Sequence, residues 1–354
     1  MGKRVLVVDD SSLVREHLEK LFSEQGYEVD TASNGKEAVE LALTYQYSAI
    51  TMDISMPVMD GLEAIKFIME KRPTPILVVS SLTVEGAQET IESLALGAVD
   101  YTTKPGQYSI NISNQGEEIL HKLEAVSNIS TQKISSYISK LQQTKKIVPP
   151  KQTEINLDTS FVNKVVLVGA STGGPGLIEQ ICVSLPANYP YPVCVVQHMP
   201  EQFTTSFAAR LNNLSSITVK ESEHGEELRN GVVYIAKGGS HLHLKKAVSG
   251  KYVIKHGVSQ KERFFAPSVD EMYLSAIEVF DAKDIHPYLL TGIGDDGAEG
   301  MVRIKSKGGF TVGESEESCT IYGMPRVAYE SGGISEQMDF DSILKHILSL
   351  DGVR

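Results

Sequence analysis

The chain is short of basic charge, of cysteine and of long apolar runs, and each shortage excludes a class of function. Lys and Arg number 33 against 45 Asp and Glu, a formal net charge of −12. A surplus of that sign repels a phosphate backbone, so general nucleic-acid binding is not expected. The surplus is uneven: residues 106–160 lean slightly basic, while the stretches on either side are acidic. Only 3 cysteines are present, Cys182, Cys194 and Cys319. Odd in number and far apart, they suggest neither a disulfide framework nor zinc-ligand spacing. Cys182 and Cys194 lie in apolar runs and read as core residues. No apolar run approaches the roughly 20 residues that span a bilayer. Lys3-Arg4 precedes apolar residues, but Asp9-Asp10 ends that run too early for a secretory signal. A reducing, cytoplasmic setting without membrane insertion is the expectation. At 354 residues, 41% of them hydrophobic, the chain has material for two domains with cores of their own.

What is present is a series of short apolar runs, each ending in a residue that carries chemistry. Arg4 to Val8 reads as a buried strand followed by Asp9-Asp10. Ser48 to Met52 leads to Asp53, Pro75 to Val79 to Ser80-Ser81, and Val99 to Thr103 to Lys104. Stretches of helical period, such as Ser12 to Gln25 and Lys36 to Tyr45, alternate with these strands. That alternation predicts a parallel, doubly wound sheet, whose strand C-termini share one edge. Asp9, Asp10, Asp53, Ser80 and Lys104 would converge there. Clustered carboxylates suit Mg²⁺, and one of them can itself become an acyl phosphate. An acidic solvated edge is the plainer alternative, but it leaves unexplained why each of these residues falls at a strand end.

Val7-Val8-Asp9-Asp10-Ser11, Met52-Asp53-Ile54-Ser55-Met56-Pro57, Val79-Ser80-Ser81 and Thr103-Lys104-Pro105 together resemble the receiver domain of bacterial response regulators. The resemblance implies phosphorylation of Asp53 by a histidine kinase. It also implies Mg²⁺ held by Asp10 and Asp53, by Asp9 through water, and by the Ser55 main-chain carbonyl. Ser80 and Tyr101 would form the switch pair, with Lys104 on the phosphoryl oxygens. The receiver is expected over residues 1–126, with a last helix at about Glu117 to Val126. Residues 127–160, rich in Ser, Lys, Gln and Thr and containing Pro149-Pro150, read as a linker. Ile134, Ile138 and Leu141 are spaced for a helix within it.

The remaining residues, 161–354, turn on Val165-Val166-Leu167-Val168-Gly169-Ala170-Ser171-Thr172-Gly173-Gly174-Pro175. A buried strand leads into a small-residue turn, and Pro175 suits the start of a helix. A hydroxyl in that turn can attack a carbonyl, with nearby N–H groups holding the oxyanion. A glycine turn that binds phosphate or nucleotide is an equal reading of this stretch alone. Pro192 to Gln197 is a further strand, ending at His198. Pro287 to Leu290 is another, running into Thr291-Gly292-Ile293-Gly294-Asp295-Asp296-Gly297. Ser171, His198 and Asp296 thus each follow a parallel strand and can meet as nucleophile, base and orienting carboxylate. Ser268-Val269-Asp270-Glu271 fits a capping box before a helix over Met272–Phe280. His241-Leu242-His243 puts two imidazoles on one strand face; a surface hairpin explains them more simply than a metal pair.

Gly169-Ala170-Ser171-Thr172-Gly173-Gly174, Gln197-His198-Met199-Pro200, Pro267-Ser268-Val269-Asp270, the turn from Leu290 to Ala298 and Tyr322-Gly323-Met324-Pro325 resemble the chemotaxis methylesterase family, CheB. The resemblance implies two domains, a flavodoxin-like receiver and a Rossmann-like methylesterase domain. It implies hydrolysis of glutamate methyl esters, and deamidation of certain glutamines, on methylated chemoreceptors. The kinase of the same chemotaxis pathway would be the phosphodonor. Main-chain N–H groups at Thr172 and Ile293 would hold the oxyanion, and no cofactor is implied for the ester chemistry. In resembling enzymes the receiver packs over the catalytic cleft and phosphorylation relieves that block. Ile293, Asp295, Ala266 and Lys237 depart from the common pattern without touching the triad. The alternative is a non-catalytic binding regulator linked to a receiver.

Overall fold

The computed structural model describes residues 3–81, 83–104, 112–130, 132–135, 138, 161–259, 263 and 265–350. The chain divides into two compact units, Met1–Gln143 and Thr144–Arg354.

The first unit alternates β1 (Arg4–Val8), α1 (Ser12–Ser23), β2 (Glu28–Ala32), α2 (Gly35–Thr44), β3 (Ala49–Asp53), α3 (Gly61–Lys71), β4 (Ile76–Ser80), α4 (Val84–Leu96), β5 (Asp100–Thr103) and α5 (Ile112–Ser127). The strands pair in parallel in the order β2-β1-β3-β4-β5, the flavodoxin-like arrangement. β3 and β4 are buried along their whole length, which is why they read as unbroken apolar runs. Side-chain caps set the helix starts: Asn34 accepts from the Glu37 N–H, Asp60 from Glu63 and Thr83 from Gly86. α5 begins at Ile112, well before Glu117. Gly116 masks that start in the sequence, because glycine costs a helix interior about 1 kcal/mol, yet the helix runs through it. Most of residues 127–160, Leu141 and Pro149-Pro150 among them, lie outside the described residues, as does Pro105.

The second unit contains β6 (Val165–Ala170), α6 (Gly174–Ser184), β7 (Val193–Gln197), α7 (Glu201–Leu214), β8 (Thr218–Glu221), β9 (Val232–Ile235), β10 (His241–Lys246), β11 (Tyr252–Gly257), α8 (Val269–Ala276), β12 (Ile285–Leu289), α9 (Ala298–Ser306), β13 (Val312–Glu314), α10 (Met324–Glu330), β14 (Glu336–Met338) and α11 (Phe340–Ser349). Seven strands form one parallel sheet in the order β14-β13-β12-β6-β7-β9-β8. β10 and β11 make a separate antiparallel hairpin. The chain leaves β6 toward β7 on one side and later returns to β12 on the other. The crevice beside β6 at the strand C-termini is therefore the topological switch point, where open α/β sheets bind ligands.

β12 starts at Ile285, two residues before the Pro287 start that the sequence predicts. Proline lacks a ladder N–H, but Pro287 faces a partner only on β6; pairing with β13 begins at Tyr288. α8 likewise starts at Val269, directly after its cap Ser268, and ends at Ala276. Val269, Met272 and Tyr273 of α8 join Leu167, Val196, Leu289, Met301 and Ile304 in one core. The contact is close at Gly169, where a Cβ would lie 2.3 Å from Val269 Cγ1. α8 therefore rests directly on β6, and its N-terminus is carried to the sheet edge.

Candidate active site

β6 delivers Ser171 into a tight turn. The Gly174 N–H donates to the Ser171 carbonyl at 2.8 Å, and Gly173 has φ +80°, which a side chain resists. Thr291 clamps this turn from the end of β12. The Ser171 N–H donates to the Thr291 carbonyl at 3.0 Å, and the Thr291 hydroxyl donates to the Thr172 carbonyl at 2.9 Å. The Thr291 N–H in turn donates to buried Glu314 at 2.8 Å. Gly292 has no room for a side chain, since a Cβ there would lie 2.7 Å from Ser171 Cβ and 2.3 Å from Met324 Sδ. The same strand end thus carries the Ile293 turn against the serine turn.

β7 places His198 beside this turn, with the His198 N–H donating to the Ala170 carbonyl at 3.1 Å. His198 Nε2 and Asp296 Oδ2 are 2.7 Å apart. Asp296 also accepts from the Ser268 hydroxyl at 2.8 Å, the Val269 N–H at 2.7 Å and the Asp270 N–H at 3.0 Å. It sits on the free N–H groups of α8, where a negative charge is favoured. Burial opposes its charge, but the His198 hydrogen bond and the helix N–H donors overcome that, and its pKa falls to about 2. An ionised Asp296 can only accept, so Nε2 carries the proton. That leaves the lone pair on His198 Nδ1, a buried atom with no partner among the described residues. The Phe265 ring stacks on the imidazole with centroids 4.0 Å apart and planes 17° from parallel.

A cleft of about 690 Å³ opens on the Asp296 side, lined by Phe265, Asp295, Asp296, Val302, Val327 and others, with neither Ser171 nor His198 in its wall. Asp270 forms part of its wall. Burial, the largest influence, lifts the Asp270 pKa to about 7 against the Gly300 N–H, which donates to it at 2.7 Å. Arg263 reaches Asp270 at 3.2 Å, Glu271 at 3.2 Å and Glu299 at 3.1 Å. Only half of the expected capping box forms: the Glu271 N–H donates to Ser268 Oγ at 3.4 Å, but the Ser268 N–H turns to His241 Nδ1 at 3.1 Å instead of to Glu271, and the Ser268 hydroxyl donates to Asp296. His241 and His243 do share a strand face, with rings 6.2 Å apart. His241 is buried rather than at the surface and accepts from the Ser268 N–H at 3.1 Å; His243 pairs with Glu271 at 2.9 Å. Both imidazoles are thus committed to shaping the α8 end.

The first unit has its own cluster. Oxygens of Asp9, Asp10 and Asp53 all lie within 4.8 Å of one another, a set of hard donors that fits Mg²⁺. Lys104 Nζ bridges Asp9 at 2.9 Å and Asp53 at 2.8 Å. Burial raises the Asp53 pKa while Lys104 lowers it, and the net displacement is upward. The Lys104 charge, disfavoured by burial, is held in place by the same two carboxylates. The Ser55 hydroxyl points to Glu89 at 3.3 Å. The Ser80 hydroxyl donates to the Gly86 carbonyl at 3.2 Å rather than to Asp53, and the Tyr101 ring is buried.

A receiver unit joined to a hydrolase unit is the class that these two folds and clusters define. A response regulator receiver domain model matches residues 5–110, and a CheB methylesterase model matches residues 166–347. The chain belongs to the CheB methylesterase family. It is 46% identical over 358 residues to protein-glutamate methylesterase/protein-glutamine glutaminase 2 of Carboxydothermus hydrogenoformans, covering 98% of each chain. The protein of the same name without the numeral from Archaeoglobus fulgidus is 43% identical, over 98% of this chain and 97% of its own. The crystal structure of the Thermotoga maritima CheB methylesterase catalytic domain matches with a TM-score of 0.51 and 40% identity, over 53% of this chain and 98% of that one.

Proposed function

We propose that this chain hydrolyses glutamate methyl esters, and deamidates certain glutamines, on chemoreceptors, under control of phosphorylation at Asp53. The observation that supports the reading is the His198–Asp296 pair at 2.7 Å, on a histidine whose main-chain N–H donates to Ala170, the residue before Ser171, and whose buried Nδ1 has no partner among the described residues. Ser171 Oγ attacks the ester carbonyl while His198 Nδ1 takes its proton. Asp296 holds the imidazole in the Nε2–H form and stabilises the imidazolium. The Thr172 and Ile293 N–H groups receive the oxyanion. The imidazolium then protonates the leaving oxygen, and methanol departs; from a glutamine, ammonia departs. Water activated by His198 releases the glutamate carboxylate. A non-catalytic regulator would have no use for an ionised carboxylate fixed on a buried imidazole.

The same reading assigns residues 1–126 to the receiver, 127–160 to a linker and 161–354 to the esterase. The phosphodonor is the histidine kinase of the chemotaxis pathway, and the setting is the cytoplasm; no helix among the described residues is long and apolar enough to cross a membrane. Asp10, Asp53, the Ser55 carbonyl and, through water, Asp9 would hold Mg²⁺, which when bound neutralises charge on the phosphoryl oxygens. Lys104 steadies those oxygens, and Ser80 with Tyr101 relays the change. The ester chemistry itself requires no cofactor. Methanol release from methylated receptor membranes, with and without a small phosphodonor, tests the proposal. Ser171→Ala should lose several orders of magnitude in rate and keep its fold. Near-normal turnover in that variant would sink the serine mechanism.

A further inference from the structure

Gln197 is the last residue of β7, next to His198, and is 2% exposed. Its Nε2 donates to the Ser171 carbonyl at 2.9 Å and to the His198 carbonyl at 3.3 Å. One side-chain amide therefore ties the turn bearing the serine to the turn bearing the histidine. Both acceptors are uncharged main-chain oxygens, so the tie needs two N–H groups and no charge. A carboxamide meets that need; a lysine or arginine would bury an unpaired cation. The Gly174 N–H reaches the same Ser171 oxygen at 2.8 Å, so both lone pairs of that carbonyl are held. The fit also depends on Gly174, where a Cβ would lie 2.3 Å from Gln197 Oε1.

The arrangement is a poor one for stability alone. Gln197 Oε1 is buried with no partner among the described residues. An apolar side chain of the same length would avoid that desolvation cost. We propose that Gln197 is a positioning residue, whose amide sets the approach of the Ser171 hydroxyl to His198 Nδ1. The role rests on the reading of Ser171 and His198 as nucleophile and base. Main-chain oxygens held on both sides of the reacting pair keep the two side chains from drifting apart, and a displacement of about 1 Å between reacting groups costs roughly a hundredfold in rate.

The test uses the full chain with Gln197→Met, which keeps the length and removes the N–H groups. The kcat for methanol release should fall about tenfold to a hundredfold with KM unchanged. Inactivation by a small fluorophosphonate, which needs the nucleophile and base but no receptor, should slow by the same factor. The thermal melt should stay cooperative, at an equal or higher midpoint. Gln197→Glu can donate only when protonated, so its inactivation rate relative to wild type should rise as pH falls, while the ratio for Gln197→Met stays level. A Met variant with normal kcat, or one whose loss lies in KM, overturns the proposal. So does a Met variant without a cooperative melt, because the amide would then serve the fold and not the alignment. Ser171→Ala separates the two readings: if it still hydrolyses ester, the serine mechanism fails. If it is inert while Gln197→Met is normal, only the role of Gln197 fails.

Discussion

Asp296 accepts hydrogen bonds from His198, Ser268, Val269 and Asp270, which lie just past the end of β7 and at the start of α8. An amide in its place would keep the size but offer one oxygen to donors that now share two. Asp296→Asn should therefore cost about 10³-fold or more in kcat, since the wrong imidazole tautomer is then free to form. Asp295→Asn should remain near wild type, because Asp295 is exposed and makes none of these bonds. The reverse order of damage would place the orienting carboxylate one residue earlier. Asp296 also links stability to pH. Its folded pKa of about 2 lies below the ordinary carboxylate value of 3.8. A depressed folded pKa gives stability that is present above the unfolded pKa and lost as pH falls through the folded one. The difference corresponds to about 2 kcal/mol. The gap in unfolding free energy between wild type and Asp296→Asn should hold above pH ~4 and close toward pH ~2, as read from denaturant melts.

The element that decides the site is α8. Its free N–H groups hold Asp296, and its body rests on β6 at a residue that cannot carry a side chain. At Gly169 a Cβ would stand 2.3 Å from Val269 Cγ1 and 3.1 Å from the Tyr273 hydroxyl. Gly169→Ala should lift α8 from the sheet and draw its N-terminus off Asp296. We expect about 1–3 kcal/mol of destabilisation, as for other overpacked cores, together with a lower kcat. An unchanged melting temperature would show that α8 does not bear on β6 there. The receiver uses the same device. A Cβ at Gly61 would lie 2.1 Å from the Asp53 carbonyl, so the first turn of α3 abuts the residue proposed for phosphorylation.

At the scale of the whole molecule the question is control. Asp53 lies in one compact unit and Ser171 in the other. A phosphoryl group on Asp53 can reach the ester chemistry only by biasing a two-state element. Removal of residues 1–150 should raise basal methanol release, the outcome expected of a receiver that inhibits the esterase. A fall in activity would mean that the receiver activates instead. Asp53→Asn in the full chain should keep the basal rate and lose its rise with Mg²⁺ and phosphodonor. A variant that still responds would mean that the phosphorylation site lies elsewhere. Chelation with EDTA should remove the phosphodonor response and leave basal hydrolysis intact; loss of both would assign a metal to the ester step.

The sequence by itself determined the strands that carry the two clusters, β1, β3, β4, β5, β6, β7 and β12, with their parallel pairing and the residue that ends each; the short strands β8, β9, β13 and β14 emerge only in the folded sheet. Those features follow from local periodicity and from the rule that parallel strands end on one edge, so Asp9, Asp53, Ser171 and His198 could be placed there from the chain alone. The cap at Ser268 is legible because its side chain marks the start of α8, whereas the starts of helix α5 and strand β12 are hidden by Gly116 and Pro287, local breakers that their neighbours outweigh. Only the tertiary structure decided that the Ser268 cap serves Asp296, 28 residues away, and that Gln197 ties itself to Ser171 across 26. It also decided that Asp296 takes the Nε2 side of His198, leaving buried Nδ1 without a partner among the described residues, and that Phe265 covers the ring. Periodicity carries no information about such pairs, because they join separate segments whose meeting depends on how β6, β7, β12 and α8 pack together.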